Sequence, residues 1–144
     1  MSQPQGGPGR PPDGPPVRLV PADKHDLEAC ARLEAAPDAE VERCLPALLE
    51  WLQDINWPVA LPIVRRLGRL GGRLADPLRP ILDGADGMWK YWLLTHLVPE
   101  AGPELAGALA GEIRRLAAAP TPDDRRDEVH LAAADLLPLL PGGS

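Results

Sequence analysis

Phenylalanine is absent from this chain, tyrosine occurs once and tryptophan four times, so aromatic residues make up only 3% of 144 positions. Its core must therefore be built from Leu, Ala, Val and Ile. Strands draw on β-branched and aromatic side chains, so this composition favours helices. Serine occurs only as Ser2 and Ser144, at the two ends, which removes a serine nucleophile from consideration. Cys30 and Cys44 belong to no C-x-x-C pair, so neither a zinc nor a redox motif is present. Both fall on apolar helical positions, where a reduced cysteine acts as a small hydrophobe, and a single disulfide between them is the alternative. His25, His96 and His130 show no H-x-x-x-H spacing, so no metal site is expected, and no cofactor motif is found. The stretch GRLGG leads to no Lys-Ser pair and is not a phosphate loop. No run of 18 apolar residues predicts a membrane span, and the first residues lack an apolar signal core, so a cytoplasmic protein is expected. Lysine and arginine number 15 against 21 acidic residues, a net charge of −6. Such a chain repels a phosphate backbone unless a local basic face overrides the total, so nucleic acid is not an expected partner.

What is present reads as two regions. Residues 1–16 contain six prolines and four glycines. Proline lacks a backbone donor and glycine loses the most entropy on ordering, so this segment is expected to be a disordered tail, with a polyproline ligand as the minor alternative. Residues 17–140 are expected to form a single helical domain. In PADKHDLEACARLEAA, Asp23 is the expected N-cap, Leu27, Cys30 and Ala31 share a face, and Pro37 ends the helix. A second helix is expected from about Asp38 to Leu52 on the spacing of Val41, Cys44, Leu45, Leu48 and Leu52, with a kink or break at Pro46. Pro58 marks the next helix start, Val59, Ile63, Val64, Leu67 and Leu70 line it, and Gly71-Gly72 stops it.

A shift of 30 residues then superposes the pattern on itself. Leu48, Trp51 and Leu52 fall on Leu78, Ile81 and Leu82; Val59, Ile63, Val64 and Leu67 fall on Trp89, Leu93, Leu94 and Leu97. Seven apolar positions in register over two helices and a loop predict a repeated helical hairpin, which cannot bury its apolar face alone and must stack. A third, weaker hairpin follows. Pro103 opens a helix carrying Leu105, Leu109, Ile113 and Leu116. Thr121 caps a last helix with Pro122 at its first position, Asp123 and Asp124 in its first turn, and Val129, Ala132, Ala133 and Leu136 facing inward. No segment alternates with period two, so no strand is expected. The predicted fold is all-α: a short stack of antiparallel helical hairpins, six to seven helices in all.

The segment LPALLEWLQDINWPVALPIVRRLGRLG resembles a HEAT repeat, with leucines in its first helix, Asp54 in the turn and Val/Leu spacing in its second. Over about residues 18–137 the chain is similar to the bacterial family termed domain of unknown function 5071. The residues that carry this are PADKHDLEA, LLEWLQDINWPVA, and MWKYWLL with the VPE that follows. The resemblance implies an all-α, HEAT-like fold and no activity, and it supplies no catalytic residue.

All five aromatics lie between residues 51 and 92: Trp51, Trp57, Trp89, Tyr91 and Trp92. Large rings anchor partners at low entropic cost, so this clustering is the principal functional signal. Trp51 and Trp89 match core positions of the repeat and are expected inside, with Trp92 on the flank of the stripe. Trp57, at a loop–helix junction, and Tyr91, off the apolar stripe, are the candidate exposed rings. Asp54 and Asn56 are expected to cap the helix that follows or to border a ligand beside Trp57; Asp83 and Asp86 are expected to cap in the matching loop. Lys90 is expected to present a cation on the same face. Arg65, Arg66, Arg69, Arg73 and Arg79 form a basic patch that reads as a solvated face. The expectation is therefore a non-enzymatic protein-binding module whose partner docks on Asp54, Asn56, Trp57, Lys90 and Tyr91, in one version an immunity or antitoxin-like protein covering a nuclease toxin. The enzyme alternative is a HEAT-like protein acting on nucleic-acid bases or small molecules through Trp57 and Asp54, by resemblance to HEAT-like glycosylases of alkylated bases. A third alternative is an accessory domain recruited through the Pro-rich tail.

Overall fold

The computed structural model describes residues 18–141, which leaves the Pro/Gly-rich segment 1–16 outside the described residues. Within them the chain is helical throughout, with no strand. The helices are α1 (Leu27–Ala35), α2 (Asp38–Arg43), α3 (Leu45–Glu50), α4 (Ala60–Gly68), α5 (Ala75–Leu82), α6 (Gly87–Trp92), α7 (Val98–Ala101), α8 (Pro103–Ala108), α9 (Ala110–Ala118), α10 (Pro122–Arg126) and α11 (Val129–Leu136). A 3₁₀ turn at Gly71–Leu74 leads into α5, and a π-helical stretch at Leu93–Leu97 joins α6 to α7. None of these helices is long and apolar enough to cross a membrane.

The elements are shorter and more numerous than the six or seven expected, and local chemistry accounts for the breaks. The helix expected over residues 38–52 splits at Cys44 (φ −101°), because Pro46 has no N–H to continue the ladder; in the first turn of α3 that absence costs nothing. Leu109 (φ −103°) divides α8 from α9, and Glu128, in the left-handed region at φ 61°, divides α10 from α11. Pro58 does not open α4; Trp57–Val59 form a turn, and the helix begins at Ala60. The cap of α1 is Asp26, not Asp23. The Asp26 carboxylate accepts from the N–H groups of Ala29 and Ala22, whereas the Asp23 carboxylate accepts from His25 N–H, ahead of the helix. Two expected caps are present. Asp86 accepts from Trp89 N–H at 3.0 Å, and Thr121 forms a reciprocal capping box with Asp124.

Packing follows the order of the chain. α1 lies on α4, α4 on the π stretch and α7, α6 and the π stretch on α11, and α11 on α9. One continuous core of Leu, Val, Ile and Ala runs through these contacts. The 30-residue register persists in burial: Leu48/Leu78, Leu52/Leu82, Ile63/Leu93, Val64/Leu94 and Leu67/Leu97 are all buried, and Trp51/Ile81 are both half-buried. Val59/Trp89 breaks the pattern, since Val59 is fully buried and Trp89 is not.

Candidate functional site

The cleft that brings aromatics to the surface lies where α3 ends. Trp51 follows α3 directly, and the turn that comes next ends at Trp57, so both indoles project from one loop. Their centroids are 5.4 Å apart with planes inclined at 71°, an edge-to-face pair. Such geometry aligns the positive edge of one ring with the negative face of the other and adds about 0.5–1.5 kcal/mol beyond burial. Val20, Ala47, Glu50 and Gln53 complete a shallow cleft of about 270 Å³ with the two rings. Trp51, expected in the core, is only half-buried, at the position that ends α3 after Glu50.

The loop residues beside Trp57 have local work. Asp54 accepts from Asn56 N–H at 2.9 Å, closing an Asx turn; neither residue caps α4, which has no side-chain cap. Asn56 is exposed and Asp54 half-buried. Asp83 does not cap either: it follows the end of α5 and pairs with Arg115 at 2.5 Å.

Lys90 is the clearest correction. It is 2% exposed, and its Nζ lies 2.7 Å from Asp124 Oδ1, itself on a buried side chain. The ion pair ties α6 to the first turn of α10, so the Lys90 ammonium is not presented on the aromatic face. Tyr91 is half-buried and stacks edge-on against Trp92, which in turn meets His96. Trp89 donates its indole N–H to Leu49 O at 3.0 Å, stitching α6 to α3. Of the five expected binding residues, then, Asp54, Asn56 and Trp57 share one loop, but Trp57 alone is among the residues that line the cleft, and Lys90 and Tyr91 lie on α6.

Of the basic patch, Arg65, Arg69 and Arg73 are exposed and Arg79 is half-buried, as a solvated face requires, and Arg66 is the exception. Arg66 is 1% exposed; it donates to Leu33 O (3.0 Å), Ala36 O (2.8 Å) and Asp38 Oδ1 (2.7 Å). It thus caps the C-terminal carbonyls of α1 from α4, where a cation also complements the helix dipole. Its hydrogen bond is the main cause that holds the Asp38 carboxyl below the ordinary carboxylate range, burial opposing it. Arg69 pairs with Glu34, Arg73 with Glu42 and Asp38, and Arg79 with Asp76 and Glu112.

For reactive groups, Cys30 and Cys44 are free thiols, and burial raises the pKa of each. A raised pKa leaves less thiolate, the nucleophilic form. The described residues hold no cluster of three or more His, Cys, Asp or Glu that suits a metal ion. His96 Nδ1 lies 2.9 Å from Thr95 Oγ1, and Thr95 also donates to Tyr91 O across the π stretch.

Sequence reasoning missed four cleft residues, Val20, Ala47, Glu50 and Gln53. Their only signal was proximity to Trp51 in the first repeat, and the approach of Val20 from upstream of α1 is a tertiary fact. No curated protein matches the chain. The model of the family described as Domain of unknown function (DUF5071) matches residues 19–137, a span that takes in every side chain of the cleft, and the chain belongs to that family.

Proposed function

We propose that this protein is a non-enzymatic binding module, a short stack of HEAT-like helical hairpins, and that the Trp51–Trp57 cleft is where a protein partner docks. The half-buried indole pair on an open cleft carries the reading: desolvated Trp side chains are the commonest anchors of protein interfaces. The partner is basic. Among the described residues Glu50 is the one charged side chain lining the cleft, it is exposed, and the chain carries a net charge of −6. A base-acting enzyme would need a continuous basic groove, and the arginines nearest to forming one are occupied by Glu34, Asp38, Glu42, Asp76 and Glu112. In its most specific form the partner is a nuclease toxin whose basic active site this acidic face covers. Failure of the purified protein to neutralise a toxin encoded beside it would remove that form.

The test begins with capture of partners from native cells, identification of the partner, and titration of the purified pair. Trp57→Ala is expected to weaken binding at least 30-fold, the equivalent of about 2 kcal/mol for an anchor residue, at unchanged helicity by circular dichroism. Glu50→Lys is expected to weaken it as well, and added salt to slow association. Wild-type affinity in both folded variants would overturn the proposal.

A further inference from the structure

The cleft opens beside the point where the described chain begins. Leu19 is buried in the core, Pro21 is buried, and Arg32 Nε donates to Arg18 O at 2.7 Å, so residues 18–21 are pinned to α1. Val20, between these anchors, forms one wall of the cleft. Immediately upstream runs Pro11-Pro12-Asp13-Gly14-Pro15-Pro16. Such a segment favours the polyproline II helix, whose backbone makes no internal hydrogen bonds and whose prolines bring acceptors but no donors. Its natural receptor is a groove that offers ring faces to the pyrrolidines and N–H groups to the carbonyls.

The cleft offers both. Two indoles stand at 71° to one another. Among the described residues Trp89 donates its indole N–H to protein, whereas those of Trp51 and Trp57 meet no protein acceptor. Gln53, exposed on the rim, adds a side-chain amide. We infer that the Trp51–Trp57 cleft recognises an extended proline-rich segment, and that residues 11–16 of this same chain occupy it until a partner displaces them. This rests on the cleft being the docking site proposed above and adds a built-in competitor to it.

Reach and concentration permit the contact. Val17 alone separates Pro16 from the anchored Arg18, and the six residues 11–16 would span about 19 Å as polyproline II at roughly 3.1 Å per residue. A short tether gives an effective concentration of about 1 mM, so a segment that binds in trans with a Kd of about 1 mM fills the cleft about half the time.

The experiment compares the full chain with the variant Pro11→Ser, Pro12→Ser, Pro15→Ser, Pro16→Ser, reading the four indole N–H signals by ¹H–¹⁵N NMR. Trp51→Phe and Trp57→Phe assign the two that matter. The Trp51 and Trp57 signals are expected to differ between the two proteins while those of Trp89 and Trp92 do not. A synthetic peptide of residues 8–18, added to the serine variant, is expected to return both signals toward their wild-type positions with a Kd of about 1 mM. Identical indole positions in the two proteins, or shifts at all four indoles alike, overturn the inference. Shifts that grow with protein concentration assign the occupant to a second copy and overturn it too. No partner enters this measurement. Tail docking with Trp57-independent partner binding therefore sinks only the partner reading, and Trp57-dependent partner binding with silent indoles sinks only this one.

Discussion

Replacing Lys90 with Met removes one half of a buried ion pair while keeping the aliphatic stem. In the native protein Lys90 Nζ and Asp124 Oδ1 are 2.7 Å apart, with side chains 3% and 1% exposed. Asp124 also accepts from Thr121 N–H at 3.1 Å and donates its own N–H to Thr121 Oγ1 at 3.0 Å, so its carboxylate holds α10 as well as Lys90. The variant leaves that carboxylate dry with a single backbone donor. Breaking one side of a buried pair costs about 3–5 kcal/mol. At roughly 3–5 °C per kcal/mol for a domain of this length, Tm should fall by about 10 °C or more in calorimetry at neutral pH. Adding Asp124→Asn, which retains a cap acceptor, should cost less than the sum of the two single changes, a coupling read from a double-mutant cycle. The pH dependence has a definite sign. Burial raises the Asp124 carboxyl, but the Lys90 hydrogen bond, the Thr121 N–H and the Lys90 charge together lower it by more, leaving it below the ordinary carboxylate range. A group depressed in the folded state contributes stability that is complete above its unfolded pKa and is lost as pH falls through the folded value. In Lys90→Met the Lys90 contributions vanish and burial remains. The gap between wild type and variant should therefore narrow on acidification. A neutral-pH difference below about 1 kcal/mol, or a gap that ignores pH, would refute the assignment of this pair as a structural clasp.

Arg66→Met should destabilise the domain by about 3 kcal/mol, because three charge-assisted hydrogen bonds and the cap of α1 are lost together. It should also return the Asp38 carboxyl toward its ordinary value, a shift that carboxyl-carbon NMR titration reads directly. Gly71→Ala should cost about 1–2 kcal/mol in thermal unfolding, since Gly71 has φ +58° and its added Cβ would meet a Glu104 carboxylate oxygen at 2.6 Å. Gly72→Ala, without the positive φ, should cost less.

Much of the fold was legible because it rests on local rules. The apolar spacing of Ile63, Val64 and Leu67 and of Leu93, Leu94 and Leu97 reports helical faces that are buried, and the 30-residue register survives in those burials. Thr121 and Asp86 were readable as caps because capping needs only a short acceptor at a fixed offset. Asp23 and Asp26 were confused because both offer that acceptor three residues apart, and the choice depends on where the helix starts. Trp51 and Trp57 were legible as large rings, but their half-exposed pairing was not.

Composition and periodicity, then, determined that this chain is helical, that leucine and alanine fill its core, and where its apolar faces repeat, since each follows from intrachain spacing and propensity. Only tertiary structure decided which charges face inward. Lys90 and Arg66 look in sequence like any surface cation, and each is buried because an acceptor 34 or 28 residues away, Asp124 or Asp38, lies within 2.7 Å of it. A buried charge is tolerable only when paired, and which partner arrives is a property of how helices stack, not of the helix that carries the charge.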